Sequence, residues 1–417
     1  MLSKAISWIF LILTLASAYS ISVFESYNLL FLAFLIFNMG FAVFYAKKID
    51  KTVLHIGRIL IGVLFIYSGI VKGVDPLGTQ FKIEDYFFAY GMPWAAPYAL
   101  VLSVLLNAVE FSMGALLLLK IKMKYVSVLS LLMMVMFTIT TLYDALYSPV
   151  PDCGCFGDAL IISNWQTFYK NIVINALIIM VFIRRSDFSE YKSKVIEYSG
   201  VLIVVFGFMF FEMYNINNLP FMDFRAWKVE NRLIPIDPKP VKYFLTYENK
   251  ETGATKEYLS KELPWKDSVF VADWKYASTR EIDPNIVDMN TFPMINPEGI
   301  DHSKQIVAYE GYTFIFVVYD IEKISYETAN EFKVLLESSM NKGIRSVVLS
   351  SDLPEDFDEF MTKYKIKDIK VYNSDDTSLK AAIRSNPGLI VVKNGEVVKK
   401  YHYNKFVDFD NIIKTYK

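Results

Sequence analysis

The chain has 417 residues, 53% of them hydrophobic, and a mean hydropathy of +0.30, which is too apolar for a single water-soluble protein of that size. The apolar excess lies before about residue 215, and beyond that point charged residues return every few positions. The net charge of −1 says nothing about nucleic acid, and without a lysine- and arginine-rich stripe nucleic acid is not an expected partner.

Seven apolar segments in the first half are each long enough to cross a membrane. A helix needs about 20 residues to span ~30 Å of hydrocarbon, so each segment predicts a transmembrane helix in contact with lipid. The predicted spans are residues 5–25, 27–46, 54–73, 96–119, 125–147, 166–184 and 196–214.

The predicted spans divide the chain into five parts. The parts are two N-terminal transmembrane helices (1–50), a four-helix membrane domain (51–190), a final transmembrane helix (191–214), a proline-rich connector with a β-hairpin (215–304) and an α/β domain (305–417). The predicted fold class is therefore a multi-span α-helical membrane bundle joined to an α/β domain.

The loops between the spans differ in charge. One face carries the basic side chains of Lys4, Lys47, Lys48, Lys51, Lys120, Lys122, Lys124, Arg184, Arg185, Lys192 and Lys194. The other face carries the acidic side chains of Asp75, Glu84, Asp85, Asp152 and Asp158. Because basic loops stay in the cytoplasm, we expect a bacterial inner-membrane protein with everything after about Asn215 outside the cytoplasm. The first segment, with Ala16-Ser17-Ala18, also fits a cleavable signal peptide, and cleavage would leave the remaining topology unchanged.

A string of charged, small and cysteine residues runs through residues 55–184. Its members are Arg58, Gly62, Phe65, Ser68-Gly69, Lys72, Asp75-Pro76, Glu110, Gly114 and Pro151-Asp-Cys153-Gly-Cys155-Phe-Gly157. On these residues the segment, roughly a third of the chain, resembles the DoxX/MauE group of four-helix bacterial membrane proteins. The resemblance implies a link to disulfide formation or sulfur redox chemistry outside the cytoplasm, or to quinone-coupled thiosulfate oxidation.

Glu110 lies near the middle of the fourth span, where an ionised carboxylate costs several kcal/mol unless it is paired, protonated or wetted. It is therefore a candidate for proton handling, and a structural ion pair is the alternative. Arg58 and Lys72, at opposite ends of the third span, are the candidate partners, although Arg58 also fits a side chain that reaches lipid phosphate. Three buried amides are expected to join helices by hydrogen bonds: Asn107, Asn171 and Asn175.

The two cysteines, Cys153 and Cys155, lie in the outer loop between the fifth and sixth spans, in a turn that contains Gly154. A disulfide between them would close a small, distorted ring, which favours thiol exchange over stapling. A structural clip is the alternative. Two cysteines are too few for a disulfide framework, and without nearby histidines a metal site is not expected. The neighbouring aspartates oppose a thiolate, whereas Lys72 or the N-terminus of the sixth span favours one.

Residues 215–304 are rich in proline, which favours extended chain and edge hairpins over helices. The prolines from 215 to 300 are Pro220, Pro235, Pro238, Pro240, Pro264, Pro284, Pro293 and Pro297. Segments 241–247 and 254–259 flank a turn that ends at Gly253 and predict a β-hairpin.

Beyond residue 305 predicted strands alternate with predicted helices, which is typical of a layered α/β domain. Strands are predicted at 312–319, 346–350, 369–372 and, as a pair, within 389–403. Helices are predicted at 326–340, 354–364 and 376–384 and from about 408.

This order of elements resembles the thioredoxin fold, and the closest local match is Asn386-Pro387 with the strand and turn that follow. The resemblance implies a cis peptide bond before Pro387 and a groove that binds extended chains. Where thioredoxins carry Cys-x-x-Cys, residues 319–325 contain no cysteine, so the domain is not expected to exchange disulfides itself. A turn proline in a generic α/β domain is the alternative. The candidate groove residues are Asn386, Pro387, Asp320 and Glu322.

Two functions are consistent with these features. In the first, a membrane thiol-redox protein passes electrons between a thiol-bearing protein client outside the cytoplasm and a bilayer carrier, a quinone being the candidate. Cys153, Cys155 and Glu110 are then the candidate catalytic residues. In the second, a non-enzymatic scaffold anchors a cysteine-free domain that binds partner proteins. The chain contains no recognisable cofactor motif and no inverted repeat of the kind found in transporters.

Overall fold

A computed structural model describes residues 2–23, 26–188, 193–234, 240–262, 264–282 and 292–416. Lys192, Pro235, Pro238 and Pro284, which entered the sequence predictions, lie outside these ranges. The chain divides into two compact units, Met1–Phe224 and Arg225–Lys417. The first unit is helical, and the second contains both sheets, so the predicted division into a helical part and a part with sheets is confirmed.

The helices of the first unit are α1 (Leu2–Ser20), α2 (Leu29–Tyr45), α3 (Lys51–Val74), α4 (Pro76–Ala89), α5 (Ala99–Leu119), α6 (Met123–Tyr147), α7 (Asn164–Ile183) and α8 (Lys194–Asn217). Seven of these described helices, all except α4, are long and apolar enough to cross a membrane. The number of predicted spans is therefore confirmed, and their ends shift by only a few residues. Sequence analysis missed α4, a short helix that Asp75 caps by accepting a hydrogen bond from Gly78 N.

Helices α3 and α5 lie unusually close together because glycines face each other across the contact. A methyl group added at Gly114 would lie 2.7 Å from the backbone oxygen of Gly62 and 2.7 Å from the nitrogen of Ile66. Small residues at such a contact let two membrane helices approach each other's backbone. This close approach brings the charged side chains of α3 and α5 within reach of one another.

The second unit begins with a three-stranded antiparallel sheet in the order β2-β1-β3. Strands β1 (Lys242–Asn249) and β2 (Thr255–Leu259) form the predicted hairpin, and the turn places Gly253 at φ +68°. The prediction of a connector with a hairpin and no helix was incomplete, because α9 (Ser268–Asp273) and β3 (Trp274–Ile282) follow. The Asp267 side chain accepts from Val269 N and so starts α9 despite the nearby prolines.

The rest of the unit is a five-stranded sheet flanked by helices. Its elements are α10 (Ser303–Val307), β4 (Tyr312–Val318), α11 (Tyr326–Asn341), β5 (Arg345–Ser350), α12 (Pro354–Tyr364), β6 (Lys370–Asn373), α13 (Asp376–Ala382), β7 (Gly388–Lys393), β8 (Glu396–His402) and α14 (Phe409–Thr415). The strand order is β6-β5-β4-β7-β8, with β4, β5 and β6 parallel and with β7 antiparallel to both of its neighbours. The predicted alternation of strands and helices is confirmed. Continuous apolar strands such as β4 are buried on both faces of the sheet.

Candidate functional site

A buried ion pair joins α3 to α5. The Lys72 ammonium donates to the Glu110 carboxylate, and each side chain is only 6% exposed. The prediction that Glu110 has a basic partner is thus realised by Lys72. The prediction of Arg58 as the alternative partner was wrong, because Arg58 is buried and donates to the backbone oxygens of Leu117 and Leu118 at the end of α5. Leu117 O also accepts from Lys120 N at 3.3 Å, so Arg58 adds to the C-terminal cap of α5 and does not reach lipid phosphate.

The Cys-Gly-Cys loop brings its two sulfurs into contact. Both cysteines are free thiols, half-buried, with their Sγ atoms 2.6 Å apart. Between them Gly154 has φ +63°, and a Cβ there would lie 2.8 Å from Cγ of Lys82. Glycine is therefore required both by the backbone and by the space available. The Ser68 hydroxyl on α3 donates to the Cys155 carbonyl at 2.6 Å and fixes the loop against the bundle.

The surroundings of the two sulfurs are asymmetric. The hydrogen bond from Cys153 lowers the pKa of the Cys155 thiol to about 6, and the Lys170 and Lys72 ammonium groups assist against the effect of burial. The same contact, together with burial, raises the pKa of Cys153 well above its usual range, and its thiol lies 3.6 Å from Oγ1 of Thr167. Near neutral pH the loop therefore holds one thiolate, on Cys155, and one thiol.

The neighbouring aspartate does not oppose that thiolate as the sequence suggested. Asp152 forms a salt bridge with Lys82 of α4 at 3.0 Å and accepts from Gly154 N at 2.9 Å. Its charge is thus compensated, and its carboxylate shapes the turn. The sixth span begins at Asn164, two residues before its predicted start, with Ser163 and Gln166 forming a capping box.

A cavity of about 180 Å³ opens beside the sulfurs. Its polar wall contains Cys153, Cys155, Lys72 and Glu110. Its apolar wall comes from α3, α5, α6 and α7 and includes Leu64, Phe65, Leu106, Met134, Phe137 and Ile174. An apolar chamber with a few convergent polar groups is the usual form of a site for a small organic molecule.

Sequence analysis missed several polar residues around this cavity. Lys82 and Tyr86 line it from α4, and Lys170 lines it from α7. The Tyr86 hydroxyl donates to the Asp144 carboxylate at 2.6 Å, and burial with that contact raises the pKa of Tyr86. Lys170 and Asp144 are charged residues inside predicted spans, so the rule that identified Glu110 would also have found them. Lys82 and Tyr86 carry no such signal, because α4 itself was missed.

Two of the three predicted bridging amides join helices. Asn171 donates to Oγ1 of Thr141 at 3.0 Å, and Asn175 donates to Oγ1 of Thr138 at 2.7 Å. The fully buried amide of Asn107 faces Glu212 of α8 but has no hydrogen bond of regular geometry in the described part of the chain, so its bridging role stays a prediction. Sequence analysis also missed Glu212 of α8, a fully buried carboxyl group without a hydrogen-bond partner among the described residues.

The candidate groove of the second unit is only partly assembled. Asp320 and Glu322 line an open cavity of about 620 Å³ beside α12, whereas Asn386 and Pro387 are not among its lining residues. Asn386 instead fixes the backbone of the loop at Tyr319 and Asp320. Its amide donates to Asp320 O at 2.6 Å, and its side-chain oxygen accepts from Tyr319 N at 3.0 Å. The Asn386–Pro387 peptide bond is cis, as the thioredoxin resemblance implies.

Fold and site together define a multi-pass membrane protein that carries a dithiol loop above a buried ion pair. The family model described as methylamine utilisation protein MauE matches residues 50–184, which contain the ion pair, the loop and α3 to α7. This segment is therefore similar to a membrane protein family, and the MauE part of the sequence-based resemblance is confirmed. No curated protein and no solved structure matches the chain. The DoxX and thioredoxin parts of the resemblance stay predictions.

Proposed function

We propose that this protein is a membrane thiol–disulfide oxidoreductase whose catalytic pair is Cys153 and Cys155. The observation that carries the proposal is the contact between one thiol and one thiolate at the mouth of a cavity that contains a buried ion pair. A thiolate is the form that attacks disulfides and oxidants, and a neighbouring thiol closes the new disulfide. A structural clip needs neither the low pKa of Cys155 nor the lysines that stabilise its thiolate.

The electron carrier proposed for this site is a membrane quinone. The cavity supports a flat organic acceptor, because apolar side chains of four helices line one wall and the sulfurs line another. Lys72 and Lys170 supply positive charge where a reduced oxygen would develop negative charge. Glu110 lines the same cavity and pairs with Lys72, and this pair is the proposed site of proton handling.

The proposed location is the bacterial inner membrane, with the Cys-Gly-Cys loop and the second unit outside the cytoplasm. Charge asymmetry supports this orientation, because the short turns α2–α3 and α5–α6 carry only basic charges except for Asp50. The thiol client would then be an extracytoplasmic protein, in a compartment where cysteines are normally oxidised.

The second unit is proposed to be a thioredoxin-like docking domain for that client. Its five-stranded sheet and the open cavity beside Asp320 and Glu322 support binding without thiol chemistry. Tethering a weakly held client to the membrane unit would raise its local concentration to about the millimolar range. A photoreactive residue at position 322 should crosslink a client, whereas one at the exposed Val407 should not. Equal crosslinking of the client at both positions would contradict the proposed docking role.

The experiment for the redox proposal is thiol alkylation with mass readout on the full chain in growing cells. We expect Cys153 and Cys155 to shift between dithiol and disulfide when quinone synthesis is blocked and restored. Cys153→Ser should abolish both the shift and the oxidation of the client. A pair that stays oxidised under all conditions, with Cys153→Ser fully active, would contradict the proposal and favour the non-enzymatic scaffold.

A further inference from the structure

Helix α8 places a carboxyl group inside the bundle, beyond the residues that match the MauE family model. Glu212 is fully buried, and neither of its carboxyl oxygens has a hydrogen-bond partner in the described chain. It interacts with the amide of Asn107 on α5, which is equally buried and also lacks a hydrogen bond. Phe208 stacks on Phe111 at 4.1 Å one turn away and holds α8 against α5.

Lys72 is the cation shared by this region. Its ammonium pairs with Glu110, and it also interacts electrostatically with Glu212 and with both sulfurs. Glu110 lies one turn from Asn107 on α5, so the two carboxyl groups approach Lys72 from α5 and α8. Lys72 is thus the charged group of a neighbouring helix that interacts with Glu212 among the described residues.

One ammonium cannot balance two carboxylates and a thiolate in a low-dielectric interior. Glu110 holds the direct ion pair, and the Cys155 thiolate is stabilised by Cys153 and Lys170 as well. Glu212 has only its unbonded amide neighbour and the more distant Lys72. A buried carboxyl without a direct partner keeps its proton, because the neutral form avoids the cost of an unpaired charge.

We propose that Glu212 supplies a proton when the Cys153/Cys155 pair reduces its carrier, an assignment that rests on the proposed thiol-redox function. A quinone takes up two electrons and two protons to become a hydroquinone. The thiol and the thiolate form a disulfide and give up two electrons but only the single proton of Cys153. Lys72, which lines the cavity, donates the second proton and recovers one from Glu212.

The charges balance through this step. Before oxidation the negative charges lie on Cys155 and Glu110, and Glu212 is neutral. After oxidation Cys155 is neutral in the disulfide, and the negative charges lie on Glu110 and Glu212. Lys72 faces the charge in both states, so the buried cluster keeps its net charge while the electrons leave. Glu212 does not line the cavity, so it acts through Lys72.

The test counts protons released by the full, detergent-solubilised chain when ferricyanide, which binds no protons, oxidises the reduced thiol pair. In weakly buffered solution at pH 7.5 the wild type should release about two protons per chain, one from Cys153 and one from Glu212. Glu212→Gln should release about one, and Glu212→Asp, which restores an acid, should release about two again. Equal release by wild type and Glu212→Gln, or about one proton from Glu212→Asp, would overturn the proposal.

Glu197 provides the matched control, because it is a second fully buried carboxylate of the same helix. It pairs with Lys122 at 2.8 Å and with Lys194 at 3.2 Å, away from the sulfurs. Glu197→Gln should leave the number of released protons unchanged. If Glu197→Gln lowers that number as much as Glu212→Gln does, the loss of a proton would follow from any change in α8 and not from Glu212 itself. If ferricyanide leaves the wild-type cysteines as thiols, the redox function itself fails and the proton assignment fails with it.

Discussion

Cys155 is the residue on which the chemistry of the loop depends. The Cys153 thiol and two lysine side chains stabilise its thiolate, although the loop is partly buried. Burial alone would favour the neutral thiol, so the hydrogen bond and the positive charges together outweigh the loss of hydration. In the proposed function the two cysteines therefore have different roles: Cys155 attacks, and Cys153 carries the proton.

The first prediction concerns the pH dependence of Cys155. Because its pKa is lowered to about 6, its thiolate fraction rises as pH increases through 6 and is nearly complete at pH 7.5. Iodoacetamide should therefore label Cys155 with a midpoint near pH 6 in Cys153→Ser, which keeps a hydroxyl donor. Cys153→Ala, which removes the donor, should raise the midpoint. A midpoint near the ordinary thiol value of 9.0 in the serine variant would contradict the proposed stabilisation.

A second residue-scale prediction concerns the ion pair. Glu110→Gln or Lys72→Met should each destabilise the bundle by about 3–5 kcal/mol, since each leaves one buried charge without a partner. The double variant should regain most of that stability, because no charge remains. Thermal unfolding in detergent measures the stabilities, and client oxidation measures the activity.

The double variant also separates structure from chemistry. If Glu110 and Lys72 only hold α3 against α5, a stable double variant should be active. Proton handling at this pair predicts that the double variant is stable and inactive. If the double variant recovers both thermal stability and client oxidation, the role of Glu110 and Lys72 is structural only.

The packing of α3 against α5 determines the geometry of the site at the scale of whole elements. The facing glycines allow the two helices to meet at backbone distance, and the ion pair forms about one turn from Gly114 on α5 and nearly three turns from Gly62 on α3. Helix α7 is buried along most of its length and presents Lys170 to the loop. Helix α8 is mostly exposed, yet it buries Glu212.

We therefore expect Gly114→Ala to lower the stability of the bundle by about 1–3 kcal/mol, because the added methyl group would collide with backbone atoms of α3. The matched control is Gly207→Ala on α8, where an added methyl group meets no atom within 4 Å. The control should unfold at the wild-type temperature or slightly above it, since alanine favours helix over glycine. Equal loss in both variants would mean that the close α3–α5 contact does not determine stability.

The elements differ in how well the sequence predicts them. Periodicity and length identify the long apolar spans and the buried strands in the sequence. The energetic cost of a charge within the membrane identifies Glu110. Helix α4 has neither signal, because it is short and only its cap and Pro76 mark its start. Glu212 and Lys170 lie inside predicted spans and carry the same charge signal as Glu110, but their position around Lys72 and the cavity depends on which helices are neighbours. The role of Arg58 was misassigned for the same reason.

At the scale of the whole molecule, the proposed chemistry depends on the topology of the chain. We expect seven crossings to put the Cys-Gly-Cys loop and the second unit on the same side of the membrane, opposite the basic turns. Protease added to right-side-out spheroplasts should therefore remove the second unit and leave the bundle intact. Cysteines placed at Lys48 and Lys120 should stay inaccessible to an impermeant thiol reagent in a Cys153→Ser/Cys155→Ser background. Full protection of the second unit would reverse the topology and place the dithiol loop in the cytoplasm.

The central claim is that the loop passes electrons to a carrier in the membrane, and reduction of a quinone by the thiol pair tests it most directly. The full chain is reduced, freed of reductant without oxygen and mixed with a short-chain quinone, while quinol absorbance and the state of both thiols are followed. We expect about one quinol per chain, formed together with the Cys153–Cys155 disulfide, and none from Cys155→Ser. Thiols that stay reduced beside unreacted quinone would contradict it.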